Sequence, residues 1–161
     1  MEIIKQLFDI GRLFDHMSNL QIVKTSFQQT AIKEIAYRKL DLSPKDVLQD
    51  IIETSLLVSK IPWRGKNDTP ELLELIDGLK RFKPFPIAVK YRPDDGVLSA
   101  SKAAYLATLL HHGKSGIQSY SEDTELVEIN FPDKFKHITK LKRRLPEAYY
   151  YLYKAIEIIA K

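Results

Sequence analysis

Cysteine is absent from the 161 residues. That single absence removes disulfides, thiolate metal ligands and cysteine nucleophiles together. It also fits an intracellular, cytoplasmic protein, because reducing compartments make no use of disulfide staples. A long apolar run is missing too. No window approaches the roughly 18 uninterrupted apolar residues of a membrane span, so no membrane contact is expected. The first residues carry Glu2, Asp9 and Asp15 among their apolar side chains. They therefore lack the continuous apolar core of a signal peptide. There is no internal repeat, no low-complexity tract and no Gly/Ser linker. The chain reads as one domain over 1–161.

What is present is an ordinary globular composition, 44% hydrophobic and 29% charged, enough for a packed core. Abundant Lys, Ile and Glu without cysteine also suit a thermophile. Net charge is +4, and it is unevenly placed. Residues 1–80 hold 11 Lys/Arg and 12 Asp/Glu, whereas residues 81–161 hold 14 and 9. A localised excess can hold a polyanion better than the same charge spread evenly.

The periodicity is mainly helical. Ile3, Leu7, Ile10, Phe14 and Met17 alternate spacings of four and three, which predicts a helix over 2–17 that Ser18-Asn19 ends. A second helix is expected over 30–40. Ser43-Pro44 with Asp46, and Thr69-Pro70 with Glu71, repeat a cap, proline and acid signal that opens two further helices. Pro84 and Pro86 then exclude a helix. Residues 87–92 read as a strand closed by a Pro93-Asp94-Asp95-Gly96 turn. A fifth helix is expected from Ser99 or Ser101, with Gly113 as its C-cap. Residues 116–120 and 125–131 read as two strands. Helices over 133–145 and 146–161 complete the chain. The expectation is a mainly α fold, a bundle of about six to seven helices with a small β-sheet insertion between residues roughly 84 and 131.

The strongest functional signal lies between Asp133 and Glu147. Lys134, Lys136, Lys140, Lys142, Arg143 and Arg144 occur there with no intervening acid. On one helix, Lys136, Lys140, Arg143 and Arg144 would share a face opposite Phe135, Ile138, Leu141 and Leu145. Phosphates are the natural complement of such a face, since each one neutralised releases counterions. The other reading is a solvated face answered by acids elsewhere in the fold. Lys90 and Arg92 on a strand, and Lys114 in a Gly loop, are further candidate nucleic-acid contacts. Tyr149-Tyr150-Tyr151 adjoin the basic run. Tyr150 and Tyr151 are candidate interface residues, with stacking of bases or of a protein partner in view. Trp63 is a candidate partner anchor or a plug between helices. Ile3, Leu7 and Phe14 could dock on another protein, or on a second copy of the chain.

Catalysis finds no foothold. Nothing marks a nucleophile elbow around the four histidines. Gly113-Lys114-Ser115 lacks the first glycine of a phosphate-binding loop, Thr108 standing in its place. His111 and His112 are adjacent and have no carboxylate at the spacing a metal site needs. No cofactor and no metal are expected.

A small basic helical chain with a short β insertion and the Lys134–Arg144 stretch resembles the small subunits of CRISPR effector complexes, most closely that of the archaeal type I-A surveillance complex. The resemblance implies a non-catalytic subunit in antiviral defence. Such a subunit helps hold guide RNA or displaced single-stranded DNA among the other subunits of its complex. The alternative is a helical protein–protein interaction module that makes no direct nucleic-acid contact.

Overall fold

A computed structural model describes residues 2–63, 65, 68–84 and 91–160. Its helices are α1 (Glu2–Phe14), α2 (Leu20–Tyr37), α3 (Pro44–Val58), α4 (Pro70–Phe82), α5 (Pro93–His111), α6 (Lys136–Thr139), α7 (Leu141–Arg144) and α8 (Pro146–Ile159). Short 3-10 turns cover Ile61–Trp63 and Asp133–Phe135. The mainly helical expectation holds. No helix among the described residues is long and apolar enough to cross a membrane.

The axis of the fold is α5, buried at every residue from Ser99 to Leu110. Its small side chains explain how that is possible. Ala100, Ala103, Ala104 and Ala107 leave room for α1, α3 and α8 to pack against it from different sides. Helices approach closely only where side chains are small. Gly11 of α1 meets Ser99 so tightly that a Cβ there would lie 2.8 Å from the Ser99 Cα. On α1, Ile4, Leu7, Gly11 and Phe14 face inward at the expected spacing. Leu7 and Phe14 are therefore core residues, 5% and 4% exposed, and not partner contacts. Ile3, at 45%, is left outside.

The two cap signals form as expected. Asp46 Oδ2 accepts the Ser43 N–H at 2.7 Å, and Ser43 Oγ accepts the Asp46 N–H at 3.3 Å. Thr69 Oγ1 accepts from the Leu72 N–H at 3.4 Å. Asn19, however, opens a helix instead of closing one. Its Oδ1 accepts from the Gln21 and Ile22 N–H groups, and α2 starts ten residues before the expected position. An Asn side chain can stop one helix or cap the next, and here local hydrogen bonding decided for the cap.

The β insertion is not found. Strands are absent among the described residues. Of the expected strand over 87–92, residues 87–90 lie outside the described residues, and Tyr91 and Arg92 lead directly into α5. Pro93-Asp94-Asp95-Gly96 is the first turn of α5 and not a hairpin turn. Proline at the first helical position with acids behind it is also a helix start. Ser99 and Ser101 consequently sit inside the helix.

Residues 113–131 form an irregular strap, and tyrosine hydroxyls do part of the work a neighbouring strand would do. Tyr105 and Tyr151 hydroxyls accept the Gln118 and Tyr120 N–H groups at 3.2 and 3.1 Å. The Tyr149 hydroxyl donates to the Val127 carbonyl at 2.7 Å. Ile117, Tyr120, Leu126 and Ile129 are half-buried and Phe131 fully so. That anchoring produces the loose alternation that suggested strands.

A candidate polyanion surface

The basic segment is broken, not continuous. A 3-10 turn, α6 and α7 follow one another, and Leu145 leaves the helical region before Pro146. The residue before a proline avoids the helical conformation. Ile138 and Leu141, both 0% exposed, pin the segment to α8 and α5. Its cations are left outside.

Acids answer half of those cations. Lys136 pairs with Asp133 at 2.6 Å, Lys142 reaches Glu128 at 3.8 Å, and Arg144 meets Asp94 at 2.8 Å. The Lys136 pair is strongly exposed on both sides and is worth little. The Arg144 pair is a tether between α7 and the start of α5. Lys134, Lys140 and Arg143 have no carboxylate partner among the described residues. Lys134 Nζ lies 4.8 Å from the Phe135 ring centroid, and Lys140 Nζ lies 5.4 Å from that of Trp63. The expected uncompensated face is thus smaller than the sequence implied.

Trp63 is engaged inside the chain. Arg144 Cζ is 5.8 Å from its ring centroid as well, so two cations border it. It fills the junction between the end of α3 and α7, which is the plug reading and not the partner anchor. The tyrosines are also internal. Tyr150 and Tyr151 are 6% and 2% exposed and form no open stacking platform. Tyr151 packs on Phe14 at 5.0 Å and Tyr105 at 5.7 Å between centroids.

Lys60, which the sequence did not single out, joins the free cations. It follows α3 and lines two clefts that flank His137. The first, about 340 Å³, also carries Lys134 and Phe135. The second, about 280 Å³, carries Trp63 and Thr69. Glu53 lines the first, and Asp68 and Asp133 the second. Glu53 accepts from Gln49 at 2.8 Å, Asp68 accepts from the Gly65 N–H at 2.9 Å, and Asp133 holds Lys136. Lys60 stands far from Lys134 in the chain, and only the packing of α6 on α3 brings them together.

His137 is the wedge between the two clefts. Its Nε2 is 2.7 Å from Ser59 Oγ, whose own hydroxyl donates to the Leu56 carbonyl at 2.6 Å. The imidazole is therefore the donor in the first contact. Ser59 is fully buried, so the bridge fixes the half-buried imidazole from its inner side. Burial, then the charge of Lys60 and also that of Lys140, push the His137 pKa down to about 4.

A pH dependence follows. Between about 4 and the ordinary histidine value of about 6.5, the unfolded chain binds a proton that the folded chain refuses. Stability must then fall as pH drops through that window. The cost attributable to His137 is about 2 kcal/mol, reduced from the full linkage value because the ring is partly exposed. Denaturant unfolding at pH 7 and pH 4.5 should show this loss in the wild type and a much smaller one in His137→Asn. Equal losses in both proteins would contradict it.

The remaining candidates fall elsewhere. Arg92 lies 3.7 Å from Asp95 at the start of α5, beside Asp94 and Glu122. Lys90 lies outside the described residues. Lys114 lies beyond the far end of α5, whose 19 residues span about 28 Å. It shares no cleft with Lys134. Among the described residues no group of His, Asp and Glu could hold a metal ion.

No protein-family model matches the chain, and neither a curated protein nor a solved structure does. The fold and site define a mainly helical protein with a small cationic surface around a half-buried histidine.

Proposed function

We propose that this protein is a non-catalytic subunit that binds single-stranded nucleic acid through Lys60, Lys134, Lys140 and Arg143. The observation that carries the reading is the convergence of the first three, with Arg143 exposed on the same basic segment. Lys60, Lys134 and Lys140 surround His137 from two separate segments, and no carboxylate pairs with them among the described residues. Cations held close together without ion pairs raise the local potential and favour phosphate, even with Glu53 lining the first cleft and Asp68 and Asp133 the second. Among the described residues beside it Trp63 and Phe135 are half-buried and Tyr150 and Tyr151 buried, so the contact is to the backbone and indifferent to sequence. This extends the resemblance to small subunits of CRISPR effector complexes, where RNA or single-stranded DNA would be held alongside other subunits.

Charge reversal tests it. Lys134→Glu with Arg143→Glu should weaken binding of a single-stranded oligonucleotide at least about tenfold. Lys136→Glu, whose cation already has a partner, should change it far less. The fold should be retained, because Lys134 and Arg143 are exposed. Equal affinity for all variants would overturn the reading.

A second reading rests on α2. Only Leu20 and Ala31 of its 18 residues are buried. Ile22, Ile32 and Tyr37 are 64%, 58% and 84% exposed, and Leu40 and Leu42 beyond the helix are exposed as well. Two copies paired antiparallel along this helix of about 27 Å would cover part of this apolar surface with itself, as two-fold interfaces do. Light scattering on the same samples separates the readings. A mass that doubles with concentration, with no nucleic-acid affinity, would favour self-association.

A further inference from the structure

A second cationic cleft lies at the other end of α5, on residues distinct from those just discussed. Its volume is about 380 Å³. Lys24 and Gln28 reach it from α2, Lys45 from the first turn of α3, and His111, His112 and Gly113 from the end of α5. Lys114 stands next in the chain. Its charge and that of Lys45 both act on His112. Three helices therefore bring two lysines and two histidines to one opening, with the charge of Lys114 beside it.

No carboxylate lines the cleft. Asp46, whose charge acts on His111, is also turned to the cap of its own helix. Its Oδ2 accepts from the Ser43 N–H at 2.7 Å and from the Ser43 hydroxyl at 2.6 Å. Lys24, Lys45 and Lys114 have no ion pair among the described residues. His111 Nδ1 is buried there without a hydrogen-bond partner. A buried polar nitrogen with nothing to bond is uncommon and invites an explanation. His112 feels the crowding of like charge. Partial burial, then His111, Lys114 and Lys45, hold its pKa below the ordinary value. Gly113, at φ +63° with nothing near its Cβ position, keeps the rim open.

We infer that this cleft binds a phosphate group. A tetrahedral anion would take hydrogen bonds from the lysine ammonium groups, the Gln28 amide and the imidazoles, and would neutralise charge that the chain leaves unanswered. The α3 N-terminus, bearing Lys45, adds the positive pole of its dipole. The phosphate could belong to a small phosphorylated molecule or to a polynucleotide backbone, and the chemistry at the cleft is the same. The inference does not rest on the Lys60–Arg143 surface.

The experiment follows the histidine ring resonances of the full chain by NMR. Inorganic phosphate, a nucleoside monophosphate and a single-stranded oligonucleotide are titrated separately. The His111 and His112 resonances should move saturably with at least inorganic phosphate, and His112 should titrate at a higher pH once the anion is bound. Both effects should vanish in Lys24→Glu/Lys45→Glu and persist in Lys134→Glu/Arg143→Glu. Glutamate at position 45 suits a helix N-terminus, so the first variant should keep its fold, which the remaining resonances would report. Oligonucleotide affinity at least about tenfold above that of phosphate assigns the backbone as source, and comparable affinities assign the small molecule. Ring resonances that stay fixed with all three ligands, or that move equally in the Lys24/Lys45 variant, would overturn the inference.

Discussion

Gly11→Val is expected to destabilise the protein by about 3 kcal/mol, at the upper end of overpacking effects. The Cβ alone would lie 2.8 Å from both Cα and Cβ of Ser99 and 2.9 Å from its Oγ. Ser99 cannot retreat. It belongs to α5, which α3 and α8 enclose from behind. The whole of α1 would have to lift, opening contacts of Leu7 and Phe14. Gly11→Ala should be milder, because alanine recovers about 1 kcal/mol of helix propensity. Adding Ser99→Gly should restore part of the alanine loss, and a double-mutant cycle by denaturant unfolding would show it. A valine variant as stable as wild type would mean that α1 is not seated on α5 at this point.

Lys102 is the second position where a single change should have a large effect. Its side chain is 7% exposed, within the small-residue run of α5. Nζ meets Asp15 of the α1–α2 turn at 2.6 Å and Glu147 of α8 at 2.9 Å, and lies 5.9 Å from the Tyr151 centroid. One ammonium thus ties three parts of the bundle. Burial disfavours its charge, but the hydrogen bonds and charges of the two carboxylates prevail and hold its pKa above the ordinary value. With the folded value raised, this contribution is fully present below the unfolded lysine value of about 10.4 and is lost only above it. Neutral pH is therefore unaffected. Lys102→Met keeps the apolar stem but leaves two carboxylates facing each other. It should cost about 2–3 kcal/mol, less than a fully enclosed pair because both acids are partly solvated. Asp15→Asn with Glu147→Gln in the same chain should recover much of the loss. If the triple variant is no more stable than Lys102→Met, the triad is not what holds these segments.

The legible parts of this fold were those decided within a few residues. Ser43-Pro44-Asp46 and Thr69-Pro70 worked because a cap needs only its own helix. The α1 helix was legible because one face of an amphipathic helix is buried whatever it packs on, but its buried stripe is Ile4, Leu7, Gly11 and Phe14, with Ile3 exposed and the helix ending at Phe14. Pro93-Asp94-Asp95-Gly96 failed because proline, acids and glycine serve a turn and a helix start equally well. The alanine run of α5, which buries only with three partners around it, broke the tie. Residues 116–131 failed because alternation reports which side chains are anchored, not what bonds the backbone, and here tyrosine hydroxyls from α5 and α8 bond part of it. The basic segment was legible as a cluster and not as a face. Its helix breaks at Lys140, and Glu128 and Asp94 come from other elements. Lys60 and the Lys102 triad were invisible to any spacing argument, since their partners are far away in the chain.

The unpaired cations beside His137 are proposed to hold a nucleic-acid backbone. The most direct measurement is the salt dependence of binding of the full chain to a single-stranded oligonucleotide. Neutralising one phosphate with each of Lys60, Lys134, Lys140 and Arg143 predicts that log Kobs falls linearly with log salt concentration, with a slope of about −3. Binding that does not change with salt, or no binding even at low salt, would contradict the account.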